Sequence, residues 1–371
     1  MRSPPYYIFI ETIRRCNLKC GHCFYWHDTD ADRANYLPLS RKIEVLGEFQ
    51  ALNPRGTMVT CGGESMLDLK TYFGMTHACR RLGLTAASVV NGTRIQTPEM
   101  ADRMIAEGPH EISISLNSHR RELHDRTRGV QGAFDKAVNA LRLLLEARAR
   151  VPGCTSRIYV MGLVFDENYR ELEQFYEFVL NDIGADKLKL NFLQPAFAQD
   201  DATDAFLRDH HNVDPDELFD IIQRCDRRFG LGLNPLWLRQ VRMYWRSLNA
   251  AKDLDRGWGS KGRTSEHICN TYERNIMVDV YGNARLCFST EFGSMKLEKP
   301  GDLRRFWESA GAIRRSMSQC NRFCGISHSV RRESSTREPT RKLPSKSAAV
   351  RAVDFLIDHW PLGQVPAQPS D

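Results

Sequence analysis

Cys16, Cys20 and Cys23 stand within eight residues of one another as a C-x3-C-x2-C triplet near the amino end. Cys269, Cys287, Cys320 and Cys324 form a looser group near the other end, and the chain has eleven cysteines in all. In a reducing compartment, cysteines grouped in this way point to metal binding or catalysis rather than to disulfides. A structural zinc ion wants four ligands, so the triplet needs His22 or His27 to complete a zinc site. An iron–sulfur cube normally takes one cysteine per iron, so three cysteines leave one iron open to a small molecule. The second group supplies four thiolates, enough for a structural zinc ion or a fully ligated cluster, with His328 as a spare ligand. Cys79, Cys154 and Cys225 read as small apolar packing residues. Cys61 stands directly before Gly62-Gly63-Glu64 and is close enough to that loop to reach an active site.

Polar turns follow the triplet at intervals. Gly62, Gly63 and Glu64 combine close backbone approach with an acceptor for an ammonium group. Asn91-Gly92-Thr93 is a second turn, Ser115 and Asn117 end a third segment, and Arg126-Thr127-Arg128-Gly129 is a fourth. Arg128 offers a charge-assisted fork for a carboxylate.

The elements that must position these turns are legible as alternating β and α patterns. Short apolar or β-branched runs occur at 6–13, 57–60, 84–90, 111–116, 157–165 and 187–193. Such runs suit parallel strands covered on both faces. Between them, Phe134, Ala137, Val138, Leu141, Leu144 and Leu145 make one helical stripe, and Leu172, Phe175, Tyr176 and Val179 make another. Six β-then-α units predict an α/β fold with a parallel sheet, doubly wound or curled into a barrel. Each polar turn sits at the carboxyl end of a predicted strand, the rim on which such folds assemble active sites. A further helix is expected over 215–229, ending at Gly230. A hairpin is expected over 275–288 with its turn at 281–283.

The triplet, followed by these turns in this order, resembles the radical S-adenosylmethionine (SAM) superfamily over residues 6–195. The resemblance implies a [4Fe–4S] cluster on Cys16, Cys20 and Cys23 that chelates SAM. One electron then cleaves SAM to methionine and a 5′-deoxyadenosyl radical. It implies that His22 packs by the adenine, that Gly62, Gly63 and Glu64 hold the SAM amino group, and that Asn91 belongs to the family's Asn-Gly turn. It further implies ribose contacts from Ser115 and Asn117, and a methionine carboxylate bound by Arg128. Ser65 stands where the family has proline, and Asn117 where it has an acid. The spacing Cys269…Gly282-x4-Cys287, then Cys320-x3-Cys324, resembles the family's auxiliary modules, SPASM and twitch. Four cysteines fit the one-cluster twitch form and imply a second [4Fe–4S] cluster that accepts an electron from a substrate radical.

The expected fold is a partial (β/α)6 TIM-like barrel with a small C-terminal Cys-rich α+β module. The expected division is barrel at 1–230, linker or lid at 231–265, auxiliary module at 266–330, and basic linker with a short terminal helix at 331–371. The expected reaction is hydrogen abstraction from an unactivated C–H bond, leading to oxidation of a small polar metabolite. Peptide modification, or epimerisation with Cys61 as hydrogen donor, is the alternative. An external one-electron reductant such as flavodoxin or ferredoxin is the expected partner. The first strand begins by Tyr6, which leaves no room before it for a leader-binding domain and favours the small metabolite. A zinc-stabilised binding protein is the reading from another class.

Composition narrows the rest. With 42% hydrophobic and 26% charged residues, the chain has an ordinary globular profile. The early apolar run at 6–10 is far shorter than the ~18–20 residues of a membrane span, and no cleavage site follows it, so a cytoplasmic protein is expected. The net charge is +6, of which +4 lies in the Ser/Pro/Arg-rich stretch 331–346. No aromatic-interleaved basic groove accompanies it, so nucleic acid is not an expected partner.

Overall fold

The computed structural model describes residues 4–193, 201–250, 267–269, 271–288, 292–318 and 329–331. Strands β1 (Tyr7–Ile13), β2 (Thr57–Gly62), β3 (Thr85–Val90), β4 (Glu111–Ser115), β5 (Arg157–Val164) and β6 (Lys187–Phe192) pair in parallel in that order. Helices α1 (Leu39–Leu52), α2 (Leu69–Leu82), α3 (Pro98–Glu107), α4 (Arg121–Arg128), α5 (Ala133–Ala149) and α6 (Leu172–Glu177) connect them. This is the expected partial (β/α)6 TIM-like barrel, with each strand inside or near its predicted run. The π-helical turn Phe178–Ile183 extends α6 and ends at Gly184.

Alternation along the strands separates the two faces. Ile8 and Ile10 are buried in one cluster with Val45, Leu46 and Phe49 of α1. Phe9 and Glu11 therefore face the lumen. The register carries that face across the sheet: Glu11 lies opposite Cys61, Val59 opposite Ala87, Val89 opposite Ser113, and Ser115 opposite Met161.

Helices α7 (Asp201–His210), α8 (Pro215–Phe229) and α9 (Pro235–Ala250) follow β6. α8 has the predicted bounds, with Asp214 as its amino cap and Gly230 in the left-handed region at its end. The expected linker or lid at 231–265 is corrected over α9. Leu238, Val241, Trp245 and Leu248 are buried in the large core cluster, and their spacing is that of an amphipathic helix face. The dense Arg and Trp content of that stretch hid the periodicity.

The C-terminal part contains β7 (His267–Cys269), α10 (Thr271–Arg274), β8 (Asn275–Val278), β9 (Asn283–Arg285), β10 (Met295–Lys296), α11 (Asp302–Ser309), α12 (Gly311–Ser318) and β11 (Ser329–Arg331). The predicted hairpin is β8–β9. It does not belong to a detached module, because β8 pairs in parallel with β1, Tyr7 opposite Asn275 and Ile10 opposite Val278. All four residues of β8 are buried, a run that needs cover on both faces. Ile276 and Val278 share their cluster with Ile8, Phe306 and Trp307. β7 pairs with β11, Cys269 opposite Ser329. Cys320, Cys324 and the stretch 332–371 lie outside the described residues, as does 251–266. Among the described residues no helix is long and apolar enough to cross a membrane.

Candidate active site

The loop after β1 carries Cys16, Cys20 and Cys23, and two turns grip it through its backbone. On one side, the Gly63 N–H donates to the Ile13 carbonyl at 2.8 Å and the Glu64 N–H to the Arg15 carbonyl at 3.0 Å. A Cβ on Gly63 would meet the Arg15 oxygen at 2.1 Å and the Arg14 oxygen at 2.6 Å. On the other side, the Lys19 N–H donates to the Arg128 carbonyl at 3.0 Å and the Gly21 N–H to the Thr127 carbonyl at 3.3 Å. Gly129 adopts φ 64° and its absent Cβ would lie 2.2 Å from the Lys19 oxygen. The Gly-Gly pair was expected to admit a ligand, whereas at Gly63 the close neighbour is the cysteine loop itself. Asn17, which sequence reasoning missed, ties the loop to the turn after β3. Its side chain donates to Thr93 Oγ1 at 2.8 Å and accepts from Asn91 Nδ2 at 2.9 Å.

The three cysteines sit among Leu18, Val130 and Ala133. Burial pushes the Cys16 thiol up to about 11 and the Cys23 thiol up to about 12, so binding a metal here releases protons. Among the described residues, only Asp166, Glu167 and His210 bring three metal-type ligand atoms within 4.8 Å of one another. The three cysteine sulfurs therefore do not all lie within 4.8 Å of one another, whereas a tetrahedral zinc ion holds its thiolates ~3.8 Å apart. Thiolates on separate irons of a cube stand farther apart, so this set suits the cube better. Two buried polar atoms beside the loop have no partner, His22 Nδ1 and Arg128 Nε. Soft thiols with unpaired polar groups around them fit a [4Fe–4S] cluster and a polar ligand on its open iron.

The other predicted residues gather on the same rim. Glu64 accepts from Asn91 N at 2.8 Å and Met66 N at 3.1 Å. Burial nevertheless pushes its carboxyl up to about 7. Asn91 uses its side chain on Asn17 and Thr93, holding the turn rather than reaching outward. Asn117 is 1% exposed. Its Nδ2 donates to Thr127 Oγ1 at 3.1 Å, and its Oδ1 accepts from Arg128 Nη2 at 2.9 Å. Both ends of the amide thus make bonds inside the protein, holding Thr127 and Arg128. Ser115 closes β4 on the lumen face and is partly exposed. His22 packs near Phe206, ring centroids 5.7 Å apart. Burial, with Arg128 adding to it, holds the His22 imidazole down to about 3 and therefore neutral. Phe206 was also missed, because 201–210 showed no recognised pattern; its ring lies against Gly21.

Cys61 faces the lumen beside Glu11, its sulfur 3.9 Å from Met277 Sδ on β8. Burial and then the Glu11 carboxylate push its thiol well up, so it keeps its S–H. The carboxylate of Glu11 accepts from the Tyr25 hydroxyl and, at 3.2 Å, from Val280 N. It therefore joins the cysteine loop to the β8–β9 turn, a role no sequence pattern announced. Cys287 follows β9 and is half-buried, and Phe288 lies edge-on to Phe9 at 5.1 Å. Cys269 ends β7.

Residues 10–179 match the family model described as the radical SAM superfamily. An AdoMet-dependent heme synthase of Methanosarcina barkeri is 25% identical over 213 residues, 57% of this chain and 58% of that protein. The antilisterial bacteriocin subtilosin biosynthesis protein AlbA of Bacillus subtilis is 24% identical over 190 residues, 51% of this chain and 40% of that protein. The chain thus spans about half the length of these curated relatives. Among solved structures, native anSMEcpe with bound AdoMet and Cp18Cys peptide has a similar fold, with TM-score 0.53 and 16% identity. It covers 88% of this chain and 84% of its own. The matched family implies SAM and one [4Fe–4S] cluster. The clamped triplet, the rim of polar turns and the family match agree on one likeness: residues 10–179 are similar to the radical SAM superfamily.

Proposed function

We propose that the chain is a radical SAM enzyme that takes a hydrogen atom from a C–H bond of a substrate seated in the barrel lumen. The observation that carries this reading is the three-cysteine loop clamped by backbone bonds from two turns, with the unpartnered nitrogens of His22 and Arg128 beside it. Cys16, Cys20 and Cys23 would hold the cluster, and Arg128 and His22, each with a buried unpartnered nitrogen, would contact SAM. When bound, cluster and SAM supply a carbon radical strong enough to break an unactivated C–H bond. The protein's own part is to place the substrate and keep water away. Glu64 holds the turns after β2 and β3 together through Asn91 and Met66.

The lumen face mixes apolar and polar groups, which argues about the substrate. Strands β1 to β3 and β8 offer Phe9, Val59, Val89 and Met277, and Val89 is 36% exposed although it lies within a strand. Strands β4 to β6 offer Ser113, Asn191 and the Glu111–Lys189 pair, 3.2 Å apart. A small molecule with polar groups and one apolar part suits this mixture, and its oxidation is the preferred outcome. Cys269, Cys287, Cys320 and Cys324 are the proposed ligands of a second [4Fe–4S] cluster that receives the substrate's electron. An external one-electron reductant supplies the first cluster. A peptide substrate is the second reading, favoured by the fold shared with a protein holding a peptide; in it, a residue side chain enters the lumen, and Cys61 can return a hydrogen atom.

Anaerobic reconstitution followed by iron analysis tests the reading. About eight irons per chain are expected for two clusters and about four for the first alone. Turnover with SAM, reductant and candidate metabolites or peptides should yield 5′-deoxyadenosine. A protein that takes up zinc but no iron, and leaves SAM intact, overturns the proposal in favour of a zinc-stabilised binding protein.

A further inference from the structure

We infer that Arg128, propped by Asn117, tunes the reduction potential of the first cluster by donating to the Cys20 sulfur. This rests on the reading of Cys16, Cys20 and Cys23 as cluster ligands. Arg128 ends α4 and is 8% exposed. Its Nη1 lies 3.7 Å from Cys20 Sγ and its Nη2 2.9 Å from Asn117 Oδ1. Asn117 is itself fixed from several sides. Its Nδ2 donates to Thr127 Oγ1, its backbone N–H to His124 Nδ1 at 3.0 Å, and its carbonyl accepts from Asn168 Nδ2 at 2.7 Å. Burial keeps His124 neutral and so able to accept that bond.

The charge balance points the same way. A buried guanidinium is costly unless an anion or full hydrogen bonding offsets it. Among the described residues no carboxylate forms an ion pair with Arg128, and Glu64, the acid on this rim, is occupied by Asn91 and Met66. The negative charge that suits Arg128 is that of sulfur-ligated iron. A cation and an N–H···S bond favour the more negative, reduced cluster and raise its potential. Arginine carries five N–H donors. Two are used here, so binding the SAM carboxylate remains compatible with this second role.

Potentiometric titration of the reconstituted full chain without SAM, followed by electron paramagnetic resonance, separates the two roles. Arg128→Met should lower the midpoint potential, with a tenfold change in the reduction equilibrium corresponding to about 59 mV for one electron. Arg128→Lys, which keeps the charge but not the fork, should fall between that variant and wild type. Asn117→Ala should shift the potential the same way by less, with normal iron content. Equal potentials in wild type, Arg128→Lys and Asn117→Ala, each with a full cluster, overturn the inference even if Arg128→Met fails to load. A wild type that binds no iron overturns instead the reading beneath it, and iron analysis tells the two failures apart.

Discussion

The two cysteine groups are positioned in opposite ways. The first is local: its three members share one loop of eight residues, and backbone bonds from the turns at Gly63 and Gly129 shape that loop. The second is distributed. Cys269 and Cys287 are eighteen residues apart, on either side of a strand whose pairing with β1 sets where the hairpin lies. A local ligand set needs its loop shaped, whereas a distributed one needs a sheet edge built. Damage should therefore separate them.

The largest separation is chemical. Cys20→Ala should abolish 5′-deoxyadenosine formation, because the cluster loses the ligand from the most buried of the three cysteines. Cys287→Ala should leave SAM cleavage nearly intact while iron falls from ~8 to ~4 per chain and oxidised product disappears. If SAM cleavage fails equally in both variants, the two sites are not independent, and the electron-acceptor role of the second loses its support.

The next effect is on stability. Ile276 on β8 is fully buried in the cluster that also holds Ile8 and Ile10 of β1. Ile276→Ala should cost about 2–5 kcal/mol and shift one cooperative transition in thermal unfolding. A separate early transition, with the main one unmoved, would instead mark the hairpin as a unit independent of the barrel.

Much of the fold and site is legible in the sequence, and the failures have physical causes. All six barrel strands and α8 follow from apolar runs and caps, since local pattern and tertiary burial agree there. The cysteine triplet and the Glu64 and Arg128 turns stand out because residue type and spacing are local signals. Asn117 belongs to the site and has a further role there that the sequence did not announce. Its amide looks like a ligand group in sequence, and only the fold brings Arg128 and Thr127 to its two ends. Glu11 was missed altogether. A single acid in a strand carries no signal until Tyr25 and Val280 arrive from 14 and 269 residues away. The pairing of β8 with β1 is equally non-local, which is why the C-terminal part looked detached.

A smaller effect concerns Glu64, the acid that links turns on the local side. Its carboxyl is raised from 4.5 to about 7, chiefly by burial, while Asn91 N, Met66 N and Arg128 pull the other way. A raised carboxyl contributes stability that is fully present below its unfolded value and is lost as pH rises through its folded value. Cluster-free wild type should therefore lose stability across that window, by at most about 3 kcal/mol. Glu64→Gln should remove that loss, visible as a flatter plot of denaturation midpoint against pH. Parallel plots for the two proteins would show that Glu64 is already ionised in the fold.

The finest test compares two glycines three residues apart. Gly129 and Gly132 both adopt positive φ, at 64° and 79°, so alanine at either incurs the left-handed penalty of about 1–2 kcal/mol. Nothing lies within 4 Å of a Cβ on Gly132, whereas one on Gly129 would meet the Lys19 oxygen at 2.2 Å. Gly129→Ala must therefore push the cysteine loop away from α4, adding an overpacking cost of about 1–3 kcal/mol. The Lys19–Arg128 backbone bond should break and iron loading of the first site should fall. Gly132→Ala should be mildly destabilised with iron loading unchanged. Equal iron content in the two variants would mean that the loop does not need its clamp on the α4 side, and that the grip at Gly63 alone sets the spacing of the three sulfurs.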